Sequence, residues 1–170
     1  VKFLNDTIRR FKGDVVEDVV ETNIDLNVNG YIPDKYISDE EIKVEIYKKI
    51  ASIQNKEDYH DLLEELIDRF GDIPEEVDNL MKISYIKYIS SRSYITSIVQ
   101  GKSFIDIQFS SSSFITPELI NELSTKYKRR LQFDLSGKPI FKFRPGIKIL
   151  EDLKVLIEKI SGFLNGKSSI

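Results

Sequence analysis

Few side chains in this sequence could do chemistry, and their types and spacing limit what that chemistry could be. His60 is the only histidine and there is no cysteine. Thiolate nucleophiles, disulfides, cysteine-based zinc sites and Cys/His pairs are therefore excluded. A catalytic imidazole needs an orienting partner and a nucleophile or metal. His60 instead stands beside Asp61 and Glu64 and reads as a solvated helix residue. Gly162, Gly166, Lys167 and Ser168 imitate a phosphate-binding loop, but the glycine spacing is one residue short. No strand precedes them and no helix follows, so no set of converging backbone N–H groups is expected there. The sequence calls for no catalytic residue, no metal and no cofactor.

Charge is the stronger signal, because it is unevenly placed in a chain whose net charge is only -3. Between Lys56 and Glu76 there are nine acids and two bases, and between Lys126 and Lys148 eight bases face Asp134 alone. Each region could meet a partner of opposite sign. Asp61, Glu65, Asp68 and Asp72 recur at spacings of four, three and four, which puts them on one helix face opposite an apolar stripe. Glu65 and Arg69 are spaced for an i,i+4 pair. Carboxylate catalysis would need a concave site that raises one pKa; a solvated face or a partner-binding face fits this pattern, and periodicity does not choose between them. In the basic stretch, Lys126, Lys128, Arg129 and Arg130 are interleaved with Tyr127 and followed by Phe141 and Phe143. That combination could hold single-stranded nucleic acid by stacking and phosphate contacts. The same aromatics, with Leu131, Phe133 and Ile140, are what a buried hairpin needs, and composition favours core plus solvated lysines. A nucleic-acid-binding module using 126–148 stands as the alternative.

The elements that must position these residues follow from periodicity. Phe3, Leu4, Ile8 and Phe11 predict an amphipathic helix over 2–12, and Asn5-Asp6-Thr7 matches a glycosylation sequon with no secretory signal to support it. Alternation from Val20 to Val28 predicts a half-buried strand, ended by Asn29-Gly30 and Ile32-Pro33-Asp34. Ser38 with Glu41 reads as a capping box for a helix carrying Ile42, Ile46, Ile50 and Ile53. A second helix over about 57–70 turns Tyr59, Leu62, Leu63, Leu66, Ile67 and Phe70 inward and closes at Gly71. Pro74 suits the first turn of a third helix running to about Ser91, with Val77, Leu80 and Met81 on the core. Strands over 95–99 and 104–109, a helix from Thr116-Pro117-Glu118, a hairpin of 131–135 with 140–143, and a helix over about 147–164 complete the chain. The tail from Asn165 reads as frayed. The expected fold class is α+β: a helical cluster in the first half, packed with a small, mostly antiparallel sheet from the second half and closed by a C-terminal helix. No apolar run reaches membrane-spanning length. The chain starts at Val1 and Met81 is its only methionine, which suggests a fragment of something longer.

Three segments in order carry a resemblance: Tyr31-Ile32-Pro33-Asp34-Lys35-Tyr36-Ile37, then Tyr47-Lys48-Lys49-Ile50-Ala51, then Glu64-Glu65-Leu66-Ile67-Asp68-Arg69-Phe70-Gly71-Asp72-Ile73-Pro74. Together they resemble the C-terminal domain of the bacterial transcription-repair coupling factor, strongly from Ile24 to Leu80 and more faintly to about residue 160. The resemblance implies a large, cytoplasmic, multidomain ATPase as parent. That parent pushes stalled RNA polymerase along DNA and recruits the damage-recognition subunit of nucleotide-excision repair. It implies that this domain is non-catalytic and packs on an N-terminal excision-repair-like module as an autoinhibitory latch. Carried over by motif, Glu65, Asp68 and Arg69 are the expected interface residues, with Phe70 and Gly71 assigned to packing and capping. The expected organisation is a linking arm over 1–20, the regulatory domain over 21–165 and a frayed tail over 166–170.

Overall fold

Among the described residues of the first half, three consecutive helices are started and stopped by identifiable chemistry. The computed structural model describes residues 19–168, with side chains described as far as Asn165. The segment 2–12 and the sequon at Asn5 lie outside the described residues. Helix α1 (Glu40–Ala51) is capped by Asp39, whose carboxylate accepts from the N–H groups of Glu41 at 2.9 Å and Ile42 at 3.0 Å. The cap is therefore one residue later than Ser38, and its negative charge also suits the positive end of the helix. Helix α2 (Lys56–Phe70) is capped by Asn55, which accepts from the N–H of Asp58. It closes at Gly71, whose φ of +88° is a conformation open to glycine and strained for other residues. Pro74 is the N-cap of helix α3 (Glu75–Ser91) and lies outside its first turn; its carbonyl accepts from the N–H groups of Val77 and Asp78.

The sheet has five strands in the order β1-β2-β3-β5-β4. Strands β2 (Ile95–Gln100), β3 (Ile105–Phe109), β4 (Leu131–Asp134) and β5 (Ile140–Phe143) are antiparallel neighbours. A bulge at Thr96 shifts the β2–β3 register by one residue. Helix α4 (Pro117–Tyr127) is capped by Thr116 and runs through a 3-10 turn (Lys128–Arg130) into β4. Helix α5 (Ile149–Ser168) closes the chain. It continues past Asn165, where the sequence suggests fraying.

The α+β class is as expected, with one difference. The strand expected over 20–28 shrinks to β1 (Asn23–Asp25), which pairs in parallel with β2 and so joins the sheet from the first half of the chain. The chain leaves the ladder early because it is drawn onto α3. The Asn29 carbonyl accepts from Asn79 Nδ2 and the Tyr31 N–H donates to Glu76 O. Gly30 sits where a Cβ would stand 3.4 Å from the Leu80 backbone.

Among the described residues two apolar clusters fill the interior, and α3 serves both. Ile86 lies among the buried residues of the sheet, α4 and α5, whereas Val77, Met81 and Tyr85 lie among those of α1 and α2. Ile89 packs against both clusters. Ile67, expected inward, is 43% exposed. Two turns of α2 already present Leu62 and Leu66 to the core, and Ile67 falls one position beyond that stripe.

Met81→Ala should cost about 2–5 kcal/mol, the range for a fully buried Leu, Ile or Met side chain cut to alanine. Because α3 is common to both clusters, helix and sheet signals should vanish in a single urea transition. Resolved transitions would show that the two layers unfold separately.

Candidate interaction site

Glu65 stands at the centre of a charge cluster that joins α1 to α2. Its Oε2 accepts from Lys49 Nζ at 2.7 Å and from the Arg69 guanidinium at 2.8 Å, and its Oε1 accepts from Lys49 at 3.0 Å. Glu45, one turn before Lys49, lies 3.5 Å from both Lys49 and Arg69. The Glu65 and Arg69 side chains are about one-third exposed (32% and 35%). The hydrogen bond from Lys49, then that from Arg69, holds the Glu65 carboxyl below the usual carboxylate range. Arg69 also lies over the Phe70 ring at 4.9 Å, and Phe70 packs against Tyr36 at 5.8 Å. The Tyr36 hydroxyl donates to the Gly71 carbonyl at 2.9 Å and lies 3.2 Å from the Leu66 carbonyl, so it satisfies the end of α2.

The three residues expected to act together thus divide. Glu65 and Arg69 are joined to each other and braced against α1. Asp68 is exposed and has no ion-pair or hydrogen-bond partner among the described residues. Its exposed neighbour Ile67 extends the same surface. Sequence reasoning found the Glu65–Arg69 pair but missed Lys49 and Glu45. The available signal was a basic and an acidic residue four apart on α1, matching the pair four apart on α2.

A family model described as the TRCF domain matches residues 26–120. The chain belongs to that family. It is 31% identical to the transcription-repair-coupling factor of Bacillus subtilis over 82% of its length. It is 30% identical to that of Borreliella burgdorferi over 93%, and 42% identical to that of Staphylococcus aureus over 55%. It spans only 12% of the first of these relatives and 14% of the second. Its fold superposes on the crystal structure of the C-terminal domain of a transcription-repair coupling factor with a TM-score of 0.79 and 28% identity. That match covers 88% of this chain and 98% of the other.

Much of the motif that marks this TRCF domain is structural. Ile32, Pro33 and Ile37 are buried. The Ile32 N–H donates to the Tyr47 hydroxyl at 2.9 Å, and Asp34 pairs with Lys43 of α1. The aromatics interleaved with the basic stretch of this TRCF domain are mostly committed to its core. Tyr127, Phe141 and Phe143 are buried, and Arg130 is taken by Asp152 and by the Arg144 carbonyl. The phosphate-loop mimic has a helical backbone throughout, because Gly162, Gly166, Lys167 and Ser168 all fall within α5. The exposed His60 ring meets Tyr59 edge-on. Among the described residues no group of three or more His, Asp or Glu is placed to hold a metal ion, and no helix is long and apolar enough to cross a membrane.

The sign of Glu65's contribution to stability follows from its lowered pKa. A carboxyl that titrates lower when folded stabilises the fold above its unfolded pKa of about 4.3, and this contribution disappears as pH falls through the folded value. Glu65→Gln should therefore lower the melting temperature at pH 7, and the difference from the parent chain should shrink as pH falls through the lowered folded-state pKa of Glu65. A difference that persisted below that pKa would mean that the charge pairs are not its source.

Proposed function

We propose that this chain is a non-catalytic regulatory interaction domain of a transcription-repair coupling factor. In this reading the parent is an ATP-driven DNA translocase that displaces stalled RNA polymerase and recruits excision repair. The domain acts as an autoinhibitory latch on the parent's N-terminal excision-repair-like module. Family membership supports the setting. The observation that carries the contact is Asp68, exposed beside Ile67 on a helix that the Glu45–Lys49–Glu65–Arg69 cluster holds fixed. A fixed, exposed carboxylate meets a cationic partner without ordering its own backbone first. Exposed ion pairs contribute modestly, up to about 1 kcal/mol each. That suits a latch, which needs a small free-energy gap between closed and open states.

Glu65, Asp68 and Arg69 then have distinct duties. Asp68 supplies the charge offered to the partner, and Glu65 and Arg69 keep the surface in register and offer their remaining donors and acceptors at its rim. Asp68→Ala should weaken binding of the isolated N-terminal module several-fold, measured by calorimetry, and leave the melting temperature of this domain unchanged. Glu65→Ala should lower both. The double variant Glu65→Ala with Asp68→Ala should bind weakest, and an unchanged affinity in it would remove the residue assignment. The isolated domain should hydrolyse no ATP.

A further inference from the structure

The far edge of the sheet carries three features that meet in one place. The first is an open backbone edge. In the β4–β5 ladder the Arg144 N–H donates to Arg130 O at 2.7 Å, and the register pairs Gln132 with Lys142 and Asp134 with Ile140. Alternation in an antiparallel ladder then turns the backbone groups of Gln132 and Asp134 toward β5 and those of Leu131 and Phe133 outward. The Leu131 N–H is taken by Lys128 O. The Phe133 N–H, the Phe133 carbonyl and the Leu131 carbonyl have no partner among the described residues.

The second feature is a groove of about 400 Å³ beside this edge, lined by Ile115, Pro117, Ile120, Ser124 and Leu135 among others. Leu135 directly follows β4 and is 47% exposed. A strand laid against β4 would turn alternate side chains toward this groove. The third is charge. Lys126, Lys128 and Arg129 precede the strand and Lys138 follows it, and none has a carboxylate partner among the described residues. The nearby acids are largely engaged: Asp134 accepts from the Ser136 N–H and hydroxyl, and Glu122 pairs with Lys159.

We propose that the β4 edge is a docking site for an extended acidic segment of a partner protein, which adds to the sheet as a sixth strand. Main-chain hydrogen bonds to Phe133 and Leu131 hold the segment. An apolar side chain fills the groove at Ile120 and Leu135, and its acidic residues meet Lys126, Arg129 and Lys138. Unpaired edges invite such pairing, and the cations around this one select its sign. The site is remote in sequence from Asp68 and independent of the latch.

The test uses the 170-residue chain with a fluorescent peptide of alternating valine and glutamate. Controls are its valine–lysine counterpart, a version broken by central prolines, and a mixed-sequence DNA duplex. Fluorescence anisotropy should show binding of the valine–glutamate peptide alone, and amide exchange at Phe133 should slow on binding. Leu135→Lys, and separately Arg129→Glu with Lys138→Glu, should each weaken binding about tenfold. Both should leave the melting temperature unchanged, because all three positions are exposed. The proposal is overturned if the proline-broken peptide binds equally well, if only the duplex binds, if no peptide binds, or if protection appears away from β4.

Discussion

The third helix has to bury two faces at once, and the rest of the architecture depends on that. A helix packed on one side needs a single apolar stripe. Helix α3 is buried at Val77, Met81, Tyr85, Ile86 and Ser90, positions that wrap around its axis. One side closes the α1–α2 cluster and the other closes the sheet and α5. The linker before α1 is pulled onto the same helix through Asn79 and Glu76. The charge cluster that joins α1 to α2 therefore stands on elements that α3 holds in place.

Polar ties at the rim of α3 fix the angles that apolar packing leaves loose. Tyr59 of α2 donates to Asp78 of α3, Asp78 and Glu151 both accept from Lys82, and Glu151 belongs to α5. Burial by itself would depress Lys82, but the hydrogen bonds it donates to Asp78 and Glu151 outweigh it and raise its pKa. A second tie runs from Tyr85 through Glu158 to Lys56, again joining α3, α5 and α2. Burial of the Tyr59 and Tyr85 hydroxyls, followed by their carboxylate acceptors, holds both phenols protonated at any ordinary pH. Both tyrosines are donors in these ties, and their roles do not change with pH.

Wherever local periodicity was strong, the sequence was enough to place the elements. Helices α2 and α3, strands β2 and β3, and the hairpin were legible because apolar spacing and turn residues agree there. What was hidden depends on contacts between distant segments. The alternation over 20–28 is real, but only Asn23–Asp25 pairs, since the competing bonds tie the next residues to α3, far along in sequence. Asp39 displaced Ser38 as the cap because two adjacent residues of cap type cannot be ranked by pattern alone. The Glu65–Arg69 pair was legible from an i,i+4 spacing. Its Lys49 partner was not, because nothing local fixes which faces of α1 and α2 meet.

The residues that carry the family likeness are a mixture of two kinds of constraint, and geometry separates them. Ile32, Pro33, Ile37, Ile50 and Leu66 are buried, Tyr36 completes the end of α2, and Gly71 supplies a positive φ. Any sequence with this fold would need residues of those kinds at those places. Glu65 and Arg69 have a structural duty as well, because they clamp α1 to α2. Asp68 has none: it caps nothing, fills nothing and pairs with nothing among the described residues. The motif therefore identifies the fold with many residues, and its exposed acids Glu64, Asp68 and Asp72 are the members that packing among the described residues does not explain.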